Sequence, residues 1–259
     1  MTLTIGSLFS GIGLLELGLE WAGLGPVLWQ VERSEYCRAV LERHWPGVER
    51  HDDIRAVGAG LAPVDLICGG FPCQDVSSAG ARAGLAGSRS GLWSEFARVV
   101  GQRRPRWVVV ENVASGAGLW LDEVVRELDQ LGYEALPVPL SAEDVGADHR
   151  RSRVFVIAAD THCEGQPAVP VDAEVGGAST ARDLDGVAGQ PRSDREGRAH
   201  PPGPAWRPPV PDVRGVADGR SRRLDSPRRR IAALGNAVVP QCAEVIGWIV
   251  RELDQDLQR

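Results

Sequence analysis

Apolar and polar positions along residues 1–160 follow two alternating rhythms. Short apolar runs of strand length are each followed by a stretch with helical spacing. LTIGSLF (3–9) predicts a buried strand, and GIGLLELGLEWAG places Leu14, Leu15, Leu17, Leu19 and Trp21 on a helix that ends at Gly23. PVLWQVE (26–32) predicts a second strand with an acid at its end. SEYCRAVLERHW (34–45) opens on a serine cap and carries Tyr36, Val40 and Leu41 at helical spacing. VDLICGG (64–70) reads as a strand, LWSEFARVVGQRR (92–104) as a helix, and RWVVVENV (106–113) as a strand. LWLDEVVRELDQLG (119–132) is a helix stopped by Gly132. YEALPVPL (133–140) and RVFVIAAD (153–160) complete the strands.

Strands alternating with helices predict an α/β domain, a doubly wound and mostly parallel sheet covered on both faces. Ligands in such sheets sit beyond the carboxyl ends of the strands. Phe9 to Gly13, Glu32, Phe71 to Cys73, Glu111 and Asn112 all fall there. Past residue 160 the periodicity vanishes, and segments such as GQPRSDREGRAHPPGPAWRPPVP are rich in Gly, Pro and Arg. The expected organisation is a catalytic and cofactor-binding domain over 1–160, a small irregular target-recognition region over 161–227, and a returning C-terminal segment over 228–259. In that last segment the residues after Pro240 form an amphipathic helix.

Composition adds three constraints. With 43% hydrophobic residues, 259 residues can bury a sizeable core. The five cysteines, at 37, 68, 73, 163 and 242, contain no C-x-x-C pair, so neither a disulfide framework nor a metal site is expected. No apolar run is expected to span a membrane and no basic leader opens the chain, so a cytoplasmic protein without a membrane partner is expected. Net charge is −6, but its distribution is uneven. Residues 1–149 carry 12 Arg and 20 acids, whereas residues 150–230 carry 15 Arg and 11 acids. Every basic side chain is arginine, which fits a GC-rich coding bias and also suits bidentate contacts to phosphate or guanine.

The candidate chemistry lies at the strand ends. FSGIG lets backbone approach a ligand, with a helix N-terminus behind it. Glu32 ends the second strand, where an acid takes ribose hydroxyls, and its distance from Gly13 is near that of a dinucleotide fingerprint. The third glycine of that fingerprint is absent, because position 16 is Glu, so a nucleoside without phosphates fits better. The alternative is a tight turn beside a surface acid. Cys73 follows a proline at a strand end and precedes a run of small residues, a placement suited to a nucleophile under a closing loop. Glu111, at the end of a neighbouring strand, could exchange a proton with a ring nitrogen; otherwise it is a surface acid. HRRSRVF (149–155) puts Arg151 and Arg153 on one side of a strand start, either for phosphate or carbonyl contacts or as a solvated basic turn.

Together these segments resemble the DNA (cytosine-5) methyltransferases. LFSGIG, VERSEYC, DDIRAV, DLICGGFPCQDVSSAG, SRSGLWSEFARVV, VVVENV, HRRSRVFVIA and RRIAALGNAVVP are similar to that family's motifs and occur in its order. The piece PDVRGVADGRSRRLDSPRRRIAALGNAVVPQ looks like compact enzymes of phage or prophage type. The resemblance implies a Rossmann-like fold, S-adenosylmethionine as methyl donor with S-adenosylhomocysteine as product, and no metal. It implies that Cys73 attacks C6 of a flipped cytosine, that Glu111 protonates N3, that Arg153 holds O2 and that Arg151 holds a phosphate. The cofactor would meet Phe9, Ser10, Gly11, Gly13, Glu32, Asp53, Ile54, Pro72, Leu92, Asn236 and Val238. Gln74 and Ser77 would stand in for the stacking and pairing partners that the flipped base leaves in the duplex. Arg214, Arg220, Arg222, Arg223 and Arg228 to Arg230 are candidates for DNA contact. The implied partners are double-stranded DNA and, as a candidate, a cognate restriction endonuclease; a monomer is expected. Leu14, Arg33, Asp148 and His149 depart from the family pattern. A transfer-RNA methyltransferase, a catalytically dead DNA-binding relative and a nucleotide-binding oxidoreductase remain as alternatives.

Overall fold

A computed structural model describes residues 2–72, 91–162 and 227–258 of the chain. In order these form β1 (Ile5–Leu8), α1 (Leu14–Trp21), β2 (Val27–Val31), α2 (Glu35–His44), β3 (Glu49–His51) and β4 (Leu66–Gly69). Beyond them come α3 (Gly91–Arg103), β5 (Trp107–Val113), α4 (Ala117–Gln130), β6 (Tyr133–Leu140), β7 (Arg153–Asp160), α5 (Pro227–Asn236) and α6 (Pro240–Leu257).

The seven strands make one sheet in the order β3-β2-β1-β4-β5-β7-β6. The neighbours from β3 to β5 pair in parallel, and β7 is antiparallel to both β5 and β6. The cause is the connections. A parallel pair needs a crossover, which α1, α2 and α3 supply after β1, β2 and β4. Between β6 and β7 there is only a loop with a single 3-10 turn (Glu143–Val145), so the chain folds straight back.

Strict alternation sends side chains to two cores. Ile5, Leu66, Cys68, Trp107, Val109, Phe155 and Ile157 pack with α1 and α6. Leu8, Ile67, Val108, Val110, Val154 and Val156 pack with Trp93, Phe96, Trp120 and Val124 of α3 and α4. This is the doubly wound, mostly parallel sheet expected from the sequence.

Three expectations change. The edge strand β3 is short and polar (ERH), so it gives no apolar alternation to read. Helix α5 is an addition to the expected elements, because its start, PRRR, continues the arginine-rich composition of the irregular region. The stretch Arg228–Leu257 reaches a mean hydropathy of 1.3 over a membrane-length window, contrary to the expected lack of such a run. It is two helices separated at residues 237–239, and α6 buries Cys242, Ala243, Ile246 and Val250 against the sheet. Burial of Ile246 and of Val250 there contributes about 1.5–3 kcal/mol each. Asp254 pins the far end of α6: it accepts from Trp107 Nε1 at 2.9 Å and from Gln258 Nε2 at 2.7 Å, and it pairs with Arg106 Nε at 3.1 Å.

Candidate active site

The strand order reverses between β1 and β4, and a cavity of about 880 Å³ opens at the carboxyl ends of the strands around that point. It runs from Glu32, Asp53 and Ile54 on one side to Glu111 and Arg153 on the other. Residues of α5 and the segment after it, among them Arg229, Asn236 and Val238, close one wall.

The first side is built on backbone geometry. Phe9 leaves β1 with φ 55°, a left-handed conformation that costs about 1–2 kcal/mol in a residue with a side chain. Its ring stacks on Phe96 with centroids 6.5 Å apart. Gly13, at φ 84°, caps α1 in the left-handed region that only glycine enters freely. The loop between them brings the Gly11 N–H to Glu32, whose Oε2 accepts it at 2.8 Å while Oε1 accepts the Ser34 N–H at 2.6 Å. Burial raises the Glu32 carboxyl above its ordinary value, opposed by those two N–H groups and by Arg38. The carboxylate is thus oriented before any ligand arrives. Asp53 caps the 3-10 turn Ile54–Ala56, and Arg98 of α3 holds that turn by donating to the Ile54 carbonyl at 2.8 Å.

The second side centres on Glu111. Arg153 Nε lies 2.6 Å from Glu111 Oε1, and the two side chains are only 13% and 12% exposed. Oε1 has no well-directed hydrogen bond, so the attraction is mainly of charge to charge. Burial raises the Glu111 carboxyl above the ordinary range, while Arg153 and Arg151 pull it down. The carboxylate lies over Gly70, where a β-carbon would stand 2.7 Å from Oε2. Glycine at 70 is therefore what admits Glu111 to the end of β4. Asn112, buried beside it, donates from Nδ2 to the Phe71 carbonyl at 3.1 Å and ties β5 to the segment leading to Pro72. Arg151 donates from Nη2 to the Gly235 carbonyl at 2.6 Å, linking the start of β7 to α5.

Of the residues singled out from sequence, Phe9, Ser10, Gly11, Glu32, Asp53, Ile54, Pro72, Leu92, Glu111, Arg153, Asn236 and Val238 line this one cavity. Gly13 does not; it packs against Trp45 and Leu41 of the α2 region. Arg151 is beside the cavity through Gly235, and Arg228 is exposed on α5. Cys73, Gln74, Ser77, Arg214, Arg220, Arg222 and Arg223 lie outside the described residues. Sequence reasoning missed Gly70 and the α5 residues Ala232 and Ala233, while Arg229, a candidate for DNA contact, lines the cavity. The helical spacing of RRRIAALGN was the available signal for α5.

Residues 3–178 match the family described as C-5 cytosine-specific DNA methylase. The chain belongs to that family. Among curated relatives, the type II methyltransferase M2.BsuMI of Bacillus subtilis is 37% identical over 160 residues, covering 59% of this chain and 41% of that protein. The type II methyltransferase M.HhaI of Haemophilus parahaemolyticus is 33% identical over 155 residues, 58% of this chain and 47% of that protein. The chain thus spans less than half the length of these relatives. The crystal structure of the S. pombe Dnmt2 methyltransferase has the same fold, with a TM-score of 0.52 at 21% identity over 61% of this chain and 50% of that one. As a C-5 cytosine methylase domain, the chain carries the family's match across the whole of the cavity described above, apart from the wall formed by residues 229–238.

Proposed function

We propose that this chain transfers a methyl group from S-adenosylmethionine to C5 of a cytosine flipped out of duplex DNA, through a covalent bond between Cys73 and C6. The observation that carries the reading is the position of Glu111. A buried carboxyl of raised proton affinity, clamped by Arg153 and seated on Gly70, opens into the same cavity as a preoriented Glu32. Family membership supports the reaction class.

The residues present fit the cofactor. A carboxylate fixed by backbone N–H groups suits ribose hydroxyls, and Phe9, Ile54, Pro72 and Leu92 supply apolar walls for a purine. S-adenosylmethionine, when bound, supplies an electrophilic methyl group. Glu32, Asp53 and Ile54 would hold the nucleoside, with Asn236 and Val238 completing the wall. The Cys73 thiolate would add to C6. Glu111 would give its proton to N3 as electron density moves onto the ring, and C5 would then take the methyl group. Loss of the C5 proton would regenerate the double bond and expel the thiolate. Arg153, next to Glu111, would bind O2 of the base, and Arg151 a nearby phosphate. Gln74, Ser77 and the arginines of 214–228 would contact the DNA, with a cognate restriction endonuclease as the candidate partner in the cell.

The test is a duplex carrying 5-fluorocytosine. Fluorine cannot leave C5 as a proton does, so the wild type with S-adenosylmethionine should give a denaturation-resistant protein–DNA adduct. Cys73→Ser should give none while still binding the cofactor. An adduct formed by Cys73→Ser, or none formed by a wild type that methylates ordinary DNA, would refute the mechanism.

A further inference from the structure

One buried acid plays no part in the scheme above. Glu16, in the first turn of α1, is fully buried, and neither carboxylate oxygen has a well-formed hydrogen bond. It nevertheless borders the cavity, together with Ser7 and Ser10. A buried carboxylate with only neutral hydroxyls beside it is unfavourable, and a group of that kind calls for a physical explanation.

Among the described residues, its surroundings contain no positive charge. From β1 and the loop after it come the Ser7 and Ser10 hydroxyls, hydrogen-bonded to each other at 2.8 Å. Cys68 of β4 and Gln30 of β2 stand in register on either side of Ser7, and the Gln30 amide is itself unpartnered. On α1, Glu20 adds like charge, and Trp45 from the end of α2 donates its indole N–H to Glu20 at 3.1 Å. Helix α6 packs on α1 through Pro240, Ala243 and the Glu244 backbone. Its titratable Cys242 and Glu244 are not among the groups acting on Glu16, nor is any arginine or histidine among the described residues. Burial is the dominant influence and raises the carboxyl to about 7, against smaller opposing hydrogen bonding from the Ser7 and Ser10 hydroxyls and its own backbone N–H.

A group so placed would be stabilised by a cation entering the cavity. Inside protein, charges act on one another through a low effective dielectric, so direct contact is not required. Resting on the methyltransferase reading, we propose that Glu16 is a specificity-determining residue of the cofactor cavity: its buried carboxylate favours a sulfonium over a neutral thioether. The chain thereby takes up S-adenosylmethionine in preference to S-adenosylhomocysteine. The two ligands share adenosine, carboxylate and ammonium, so the ratio of their affinities isolates the sulfonium charge.

The test is calorimetric titration of the full chain with each ligand from about pH 6 to about pH 8.5, a range that brackets ionisation of Glu16. In the wild type the preference for S-adenosylmethionine should grow about tenfold across this range, the scale of one unit charge acting through a partly buried path. Glu16→Gln should flatten the pH dependence and lower the preference, with S-adenosylhomocysteine affinity unchanged. A wild-type ratio independent of pH overturns the proposal, and that measurement needs no folded variant. An equal loss of both ligands in Glu16→Gln also overturns it, because a contact to the shared ammonium would behave that way. Failure of the wild type to bind either ligand would instead remove the cofactor reading itself.

Discussion

Replacing Arg153 by methionine tests the electrostatics of the site most directly. Arg153 and Glu111 form a pair at 2.6 Å with both side chains largely buried. At an effective dielectric of about 20, unit charges about 4 Å apart attract by about 4 kcal/mol. Deleting one partner of a buried pair costs about 3–5 kcal/mol, because the other charge is left in a poor solvent. Arg151 also lowers the Glu111 carboxyl and remains in the variant, so a loss of about 3 kcal/mol is expected when Glu111 is ionised. For a domain of this size that corresponds to a fall in Tm of about 6–12 °C. The pH dependence follows from the direction of the Glu111 shift. Its carboxyl is raised in the fold because burial outweighs the two guanidiniums. A carboxyl raised in this way contributes its stability fully below its unfolded value and loses that stability as pH rises through the folded value. Removing Arg153 raises the carboxyl further and deepens the loss at high pH. Differential scanning fluorimetry should therefore show a large drop at about pH 8 that shrinks toward about pH 5. An equal drop at both ends, or a larger one in acid, would refute this account of Glu111.

Other substitutions probe separate parts of the structure. Gly70→Ala places a β-carbon 2.7 Å from Glu111 Oε2, and displacing that carboxylate should cut the yield of the 5-fluorocytosine adduct about a hundredfold while the protein stays folded by circular dichroism. Glu32→Gln can accept only one of the two N–H groups that now orient it, so the dissociation constant for S-adenosylmethionine should rise about tenfold by calorimetry. Asp254→Ala leaves the Trp107 indole N–H and Arg106 without their buried partner, and chemical denaturation should show a loss of about 3 kcal/mol.

The sequence alone determined the doubly wound sheet, because strand and helix periodicities differ and the strands alternate strictly between two apolar faces. It also marked part of the cavity lining, since Phe9, Glu32, Asp53 and Glu111 stand at strand ends or close to them, where such folds gather ligands. Local pattern could not reveal β3, whose three polar residues have no apolar alternation, and the helical spacing of α5 was obscured by arginines that match the composition of the region before it. The antiparallel place of β7 came from a connection without a helix, which becomes legible only once the strands are paired. Tertiary structure alone decided what charge does here. Glu16 and Glu111 are both acids in sequence, yet one is buried without a cationic partner and the other is clamped by arginine over a glycine at the end of the neighbouring strand. Burial and partner geometry depend on residues far apart in the chain, and no local pattern encodes them.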